Sequence, residues 1–535
     1  MSLRILPLVL AAACSVHPSA FAAPASKPNI VVILVDDMGF SDLGCYGSEI
    51  PTPNLDALAK DGLKFTQFYN TGRCCPTRAS LLTGLYPHQA GVGHMTDDKG
   101  VPGYQGRLND QCVTIAEVLK PAGYFTALSG KWHVGQNAGV TPWGRGFDRS
   151  LNAAAGGFYY ADSPKAKLFL NGEALANDDP RLPKGWYTTD LWTTFGLTFI
   201  DEALAEKKPF YLHLCFNAPH FPLQAPADEI AKFRGKYKAG WGATRDARYA
   251  RQLELGLIDK AWAKSPRPEG VQVWKDVPAG EQDRLDHLMA TYAAVVHHMD
   301  SAVGALVDGL RQRGVLDNTL LLFMSDNGGN AESGPKGKTE GDPSKGGSDW
   351  FCGMSWAFVE NTPFRLFKHF NHEGGIATPL IAHWPAGIVA KGEWRTQPAH
   401  LIDIMATCAD VGGAAYPKEL KGKPILPMEG KSLVGAFANQ PIARDALYWE
   451  HEGNAAVRVG DLKLVRRGRD GAWELYDMKT DRTELHDLAA AQPDKAKELA
   501  AKWEAWALRA HAKPYPDEGK GKKKGNGRRK AKSAA

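Results

Sequence analysis

Residues Arg73, Cys74, Cys75, Pro76, Thr77 and Arg78 set a thiol beside a fixed turn and a guanidinium, directly ahead of an apolar run at 79–82 that can open a helix. The free amides of a helix N-terminus with an arginine beside them bind anions, so the pattern puts a nucleophile at an anion site. Adjacent cysteines are poorly placed to bond each other and no Cys-x-x-Cys partner lies near, yet a zinc or disulfide pair stays on an equal footing from spacing alone. Asp36-Asp37 and Asp326-Asn327 offer oxygen ligands only. Such a set favours Ca²⁺ or Mg²⁺ over zinc or copper, and its neutral carboxamide suits a cation with an anionic ligand still to come. One Asp-Asp pair after a strand reads first as a capped loop; two such pairs, both at strand ends beside an anion-binding motif, reverse that reading. Lys131 and His133 stand two apart and share a face if strand geometry persists.

Those residues need elements that deliver them to one place. Residues 29–35 form a nearly unbroken β-branched run ahead of Asp36, which reads as a strand buried on both faces, the mark of a parallel sheet covered by helices. Ligands bind at the carboxyl edge of such sheets. The same hand-over recurs: 63–69 leads to Cys74, 124–129 to Lys131 and His133, 210–216 to His220 in Ala218-Pro219-His220, and 318–324 to Asp326-Asn327. Helices are expected at 53–59, 114–119, 191–205 and 288–310. Residues 233–275 show no sheet pattern and read as an insertion near the pocket mouth. From about 443, short alternating runs spaced by turns predict an antiparallel meander followed by a helix at 493–510. The fold class expected is α/β: a large, mostly parallel sheet flanked by helices, with a small C-terminal α+β subdomain of antiparallel sheet plus helix. The boundaries read as a signal peptide at 1–22, a catalytic domain at 23–440, the subdomain at 441–512 and a basic, disordered tail at 513–535.

Cys74-Cys75-Pro76-Thr77-Arg78 followed by Leu82-Thr83-Gly84 resembles the signature of the sulfatase family. The family often continues with an arginine where this chain has Leu85. The resemblance runs from Pro28 to about Leu488 and includes Trp473-Glu474-Leu475-Tyr476-Asp477. It implies an arylsulfatase-like hydrolase of the alkaline-phosphatase type, in which Cys74 is oxidised to formylglycine by a maturation enzyme and Cys75 is a spectator. It also implies a metal, Ca²⁺ or alternatively Mg²⁺, on Asp36, Asp37, Asp326, Asn327 and the modified Cys74. Gly130-Lys131-Trp132-His133 matches a family pattern in which Lys131 contacts the sulfate and His133 the formylglycine hydroxyl. His220 matches the histidine near the leaving oxygen. Lys368, five residues before Glu373-Gly374-Gly375, matches a lysine that grips sulfate. On this scheme Asp326 helps deprotonate the attacking hydroxyl, Arg78 steadies the diol, and His220 protonates the departing alcohol. The substrate implied is a small-molecule or glycan sulfate ester. The nearest rival is a phosphonate monoester or phosphodiester hydrolase of the same superfamily, and from another class, a non-catalytic sulfated-glycan binder.

Composition bounds the rest. With 44% apolar and 23% charged residues, 535 residues bury a large core and exceed one ordinary domain. Arg4, the apolar stretch 5–13 and Ala20-Phe21-Ala22 read as a secretory signal, and Cys14 follows a poor lipoprotein box. No later stretch is long enough for a membrane anchor, so an exported, periplasmic or secreted protein is expected. The net charge of +5 misleads about partners. Without the eight bases of 519–535 and Arg4, 55 basic residues face 59 acidic ones, and the tail lacks aromatic interleaving, so no nucleic-acid partner is expected. The scattered cysteines are not a disulfide scaffold. His287, His297, His298, His451 and His486 read as structural, while Trp143, Trp186 and Trp241 are candidates for the pocket mouth.

Overall fold

Alternation along a single strand organises the molecule. Val31, Ile33 and Val35 point into one core, Ile30, Val32 and Leu34 into another, and all six are fully buried. A strand that is apolar on both faces has to be covered on both, at about 1.5–3 kcal/mol per fully buried aliphatic side chain. The computed structural model describes residues 27–516; the signal at 1–22, Cys14 and nearly all of the basic tail lie outside the described residues.

The central sheet begins with β1 (Asn29–Val35), β2 (Leu63–Tyr69), β3 (Phe125–Lys131) and β4 (Arg149–Ala153). It continues with β5 (Leu168–Leu170), β6 (Glu173–Leu175), β7 (Phe210–Cys215) and β8 (Thr319–Ser325). A separate hairpin of β9 (Lys338–Glu340) and β10 (Asp349–Phe351) precedes its last members, β11 (Ala377–His383), β12 (Glu393–Arg395) and β13 (Ala399–His400). The order is β12-β2-β11-β8-β1-β7-β3-β4-β5-β6, with β13 beside β2. Pairing is parallel through β8, β1, β7, β3 and β4, as expected. Strand β11 runs antiparallel to both β2 and β8. That reversal brings the start of β11, and the loop before it, to the edge where the other strands end.

One face is covered by α1 (Pro53–Lys60), α4 (Thr188–Ala205) and the 34-residue α7 (Ala279–Gln312); the other by α2 (Cys74–Thr83), α3 (Ile115–Leu119) and α10 (Ile402–Val411). Thr114 caps α3 in a reciprocal box with Glu117. After a short hairpin of β14 (Glu419–Leu420) and β15 (Lys423–Pro424), the subdomain forms a meander of β16 (Leu447–His451), β17 (Asn454–Val459), β18 (Leu462–Arg466) and β19 (Glu474–Asp477). Its outer face is closed by α12 (Pro493–Arg509), whose Trp503 and Trp506 are buried. The chain stays packed to Pro516: Lys513 bonds Glu504 at 2.7 Å and Tyr515 lies against the same core.

Two local expectations, on Trp186 and Trp241 and on Lys131 and His133, need correction. Residues 233–275 carry no strand, as expected, but 240–254 form a helix whose Arg245 and Arg248 are buried. Arg248 bonds Asp42 and Glu49, so polar residues there face a buried polar network and hide the helical period. Trp186 and Trp241 are core, each 3% exposed, and Trp241 stacks edge-on with Trp274 and Trp356. Strand geometry does not persist from Lys131 to His133: β3 ends at Lys131, and His133 takes φ +56°.

Candidate active site at the carboxyl edge of the sheet

Register places the acids. Val35 of β1 pairs with Ser325 of β8, so Asp36 and Asp326 leave the sheet side by side. Leu34 and Gly130 both pair with Cys215 of β7, which brings Lys131 and the 217–220 loop to the same level. Gly130 is required there: a Cβ would lie 1.9 Å from the carbonyl oxygen of Cys215, at a φ of +124°. On the far side, Ala377 pairs with Tyr69, so the end of β2, which feeds α2, meets the loop carrying Lys368.

Every residue expected in the site is brought together. Arg78 Nη2 lies 2.9 Å from Asp326 Oδ2 and 3.3 Å from Asp36 Oδ2, and its Nη1 donates to the carbonyl of Lys131 at 3.1 Å. Lys131 Nζ is 2.5 Å from Asp36 Oδ2. Asp37, at φ +64°, receives Lys368 Nζ and Asn327 Nδ2 on Oδ1, both at 2.7 Å, while its own amide donates to Asp326 Oδ1 at 3.2 Å. His220 Nε2 lies 3.6 Å from Asp37 Oδ2. Its Nδ1 contacts the carbonyl of Phe221 at 2.6 Å; a carbonyl only accepts, so Nδ1 carries the proton and Nε2 faces the site. Trp192 and Tyr159 hold that loop through Asn217 Oδ1 and the His220 carbonyl. Cys74 opens α2, with a ligand atom of His133 and of Cys75 within 4.8 Å.

Burial and charge set the ionisation. Burial alone would raise Asp37, but Lys368 and His220, with the Asn327 hydrogen bond, hold it at about 2. Asp36 is likewise buried and held below the usual range, chiefly by Lys131. Asp326 goes the other way, pushed well above the carboxylate range by burial and then by the Asp36 charge. Burial, followed by Lys131, lowers His133, and burial lowers His220. The Cys74 thiol is held well below the ordinary range by a hydrogen bond from Cys75, against burial and with help from Lys131 and His133.

Two acceptors decide whether a cation suits the cluster. Asp36 Oδ1 and Asn327 Oδ1 are buried without any hydrogen-bond donor. An unsatisfied buried acceptor costs about 1–3 kcal/mol. In an oxygen-only cluster of three carboxylates and a carboxamide, a hard divalent ion is the fitting partner for both.

The sequence reading missed Asn330, whose Nδ2 donates to Asp37 Oδ2 at 2.8 Å, and Glu332, which lies 3.5 Å from Lys368 Nζ and 2.9 Å from Arg73 Nη1. Asn330 could have been found as the next polar residue in the turn that delivers Asp326. Glu332 had no local signal.

The sulfatase family model matches residues 28–414. The chain belongs to the sulfatase family. Residues 364–508 of this sulfatase also match the family described as N-sulphoglucosamine sulphohydrolase, C-terminal. It is 36% identical to an arylsulfatase of Klebsiella aerogenes, over 77% of this chain and 93% of that one. An uncharacterised sulfatase of Schizosaccharomyces pombe is 34% identical over 93% of this chain and 96% of its own length. Among solved structures, Ps i-CgsB in complex with k-i-k-neocarrahexaose superposes with a TM-score of 0.68 at 27% identity, covering 90% of this chain and 93% of the other. The sulfatase is therefore an enzyme of sulfate-ester hydrolysis with the alkaline-phosphatase-like sulfatase fold, and the reading as a non-catalytic binder is set aside.

Proposed function

We propose that this sulfatase is an exported arylsulfatase-type enzyme that cleaves a sulfate monoester through a formylglycine made from Cys74 by a maturation enzyme. In this reading Ca²⁺ is held by Asp36, Asp37, Asp326, Asn327 and the modified residue 74. The observation that carries the reading is the pair of unpartnered buried acceptors, Asp36 Oδ1 and Asn327 Oδ1, in a cluster that also holds Lys131 and Lys368, with Cys74 in the first turn of α2 grouped with His133. When bound, the cation supplies positive charge to sulfate oxygens and to the attacking oxygen. A hydrated aldehyde at position 74 would supply one hydroxyl for attack on sulfur and a second whose deprotonation would expel sulfate, which a serine could not do.

The chain's own residues do the remainder. Lys131 and Lys368 hold sulfate oxygens, a buried arrangement in which charge complementarity is worth most. For Lys368 this means leaving Asp37, which it now contacts. Arg78 steadies the diol from its seat between Asp36 and Asp326. Asp326, ionised when it holds the cation and 2.9 Å from the Arg78 guanidinium, stands where it can take the proton of the attacking hydroxyl. His133, neutral through burial, takes the second hydroxyl's proton, and His220, whose Nε2 faces the site without a proton, first takes one up there beside Asp37 and then passes it to the leaving oxygen. The signal read at 1–22 supports export, and no described helix is long and apolar enough to cross a membrane.

Peptide mass at position 74, paired with kcat/KM for an aryl sulfate and an aryl phosphonate monoester in Ca²⁺, tests the reading. An aldehyde with strong preference for sulfate is expected. Preference for the phosphonate would overturn the substrate, and an unmodified cysteine in active protein would overturn the nucleophile.

A further inference from the structure

Next to the catalytic cluster lies a second group of side chains that the proposed reaction does not use. Glu452, in the turn between β16 and β17, receives His94 Nε2 on Oε1 at 3.0 Å and His369 Nδ1 on Oε2 at 2.9 Å. His451 Nε2 lies 3.7 Å from Glu452 Oε1, and the His451 ring sits between those of His94 and His369, with centroids 5.7 and 5.8 Å away. His451 is fully buried, yet neither of its ring nitrogens has a hydrogen-bond partner. A buried imidazole with two idle nitrogens is a cost that a structural histidine avoids.

We propose that His369, His451 and Glu452, completed by His94, form a second metal site, for a divalent transition cation of the zinc class. Three imidazoles and one carboxylate favour zinc, nickel or copper over Ca²⁺, which separates this site chemically from the oxygen-only catalytic cluster. Tetrahedral zinc with bonds of about 2.0–2.1 Å spaces its ligand atoms about 3.3 Å apart. Around Glu452, His369 Nδ1 lies 2.9 Å from Oε2, and His94 Nε2 and His451 Nε2 lie 3.0 and 3.7 Å from Oε1, so the carboxylate is within this range of all three imidazoles through its two oxygens, and His94 closes in as the fourth ligand. One ligand atom each of His369, His451 and Glu452 already lies within 4.8 Å of the others.

The surroundings agree. His369 Nε2 contacts Glu332 Oε1 at 2.9 Å, the kind of carboxylate partner that orients a metal-bound imidazole, while Nδ1 lies 2.9 Å from both Glu452 Oε2 and Arg73 Nη1, so the guanidinium has to turn aside when an ion binds. Arg73 is the cation packed against the cluster, at the His369 ring, and Glu332 takes its charge at 2.9 Å. A cavity of about 440 Å³, lined by His94, Tyr104, Glu450, Glu452, Arg469 and Tyr515, reaches two of the four ligands. The four ligands come from three distant segments, so the ion would fasten the subdomain's turn to the loop that carries Lys368.

The test uses full-length, tag-free protein, stripped with a chelator and reloaded with Ca²⁺, then titrated with Co²⁺ while its visible spectrum is followed, with Zn²⁺ as competitor. One equivalent of Co²⁺ with four-coordinate bands, displaced by Zn²⁺, is expected. H451Q and, separately, H94Q should weaken binding by about 10–100-fold or more, with D36N leaving it unchanged. Circular dichroism of the stripped variants checks that they fold. Absence of an equivalent of Co²⁺ in folded protein, binding indifferent to both histidine changes, or binding lost in D36N instead, overturns the proposal.

Discussion

Asn327 Nδ2 donates to Asp37 Oδ1 at 2.7 Å, a contact that helps to tie the ends of β1 and β8 together while leaving Asn327 Oδ1 a buried acceptor with no donor. The carboxamide thus both fixes the cluster and keeps one lone pair for a cation. Asp37 is drawn into its left-handed conformation at the same place, with its amide on Asp326 Oδ1. Strained backbone of this kind persists only where surrounding contacts enforce it.

Replacing that amide should separate metal binding from folding. Asn327→Ala is expected to weaken Ca²⁺ by about 10–100-fold and to lower kcat/KM, with partial recovery in excess Ca²⁺. Calorimetric titration of the stripped enzyme measures it. An unchanged Ca²⁺ affinity would place the cation elsewhere.

Cys74→Ser should keep the fold, because serine replaces the buried thiol in the first turn of α2 at nearly the same size. With one hydroxyl, the variant can accept sulfate but cannot expel it. Intact mass after incubation with an aryl sulfate should show one covalently bound sulfo group and no turnover. Wild-type steady-state rates in this variant would falsify the diol scheme.

His220 should matter in proportion to how badly the leaving group needs a proton. For a nitrophenyl sulfate, His220→Gln should cost little; for an unactivated alcohol sulfate it should cost about 10²–10⁴ in kcat/KM. A slope of log kcat/KM against leaving-group pKa that stays the same in the variant would remove His220 from the proton path.

Lys131 pairs with Asp36 in full burial, so its charge acts without solvent screening. Lys131→Met should lower kcat/KM by about 10²–10³. The effect should be seen in kcat more than in KM if the ammonium works mainly on the transition state. A loss confined to KM would make Lys131 a ground-state binder only.

Between the loop before β11 and the C-terminal antiparallel sheet lies a buried network that predicts acid sensitivity. Lys463 bonds Glu373 and Glu484, each at 2.8 Å, and Arg482 bonds Glu373 at 2.8 Å, all with fully buried side chains. Burial alone would raise Glu373, but Lys463 and Arg482 hold it at about 2, below its ordinary 4.5. Its contribution to stability is therefore fully present above about pH 4.5 and is lost as pH falls toward 2. Lys463→Met leaves a buried charge unpaired and should cost about 3–5 kcal/mol at neutral pH. The variant's stability should also depend less steeply on pH between 4.5 and 2 than that of wild type. Denaturant unfolding at pH 7 and across that range checks both, and an equal slope in the two proteins would show that the network does not control acid stability.

Most of the site was legible because each strand ends in its functional residues. The runs at 29–35 and 318–324 are apolar on both faces, and a polar cluster directly after such a run has only the sheet edge to occupy. Lys131 and His133 were read as sharing a face, which failed because the chain turns left-handed at His133, a choice made by its neighbours and not by its own propensity. Trp241 misled in the opposite direction: its size suggests a pocket wall, whereas Trp274 and Trp356 enclose it.

The sequence by itself determined which residue types stand at the strand ends, the α/β class and the antiparallel subdomain, since these follow from local periodicity and turn residues. Only the tertiary structure decided what meets across long separations. Asn330 and Glu332 reach the site from a loop without regular pattern, β11 reverses to bring Lys368 to the catalytic edge, and His94, His369, His451 and Glu452 converge from three segments. The physical reason is that strand pairing and domain packing depend on the complementarity of surfaces hundreds of residues apart, and no window of local sequence contains both halves of such a contact.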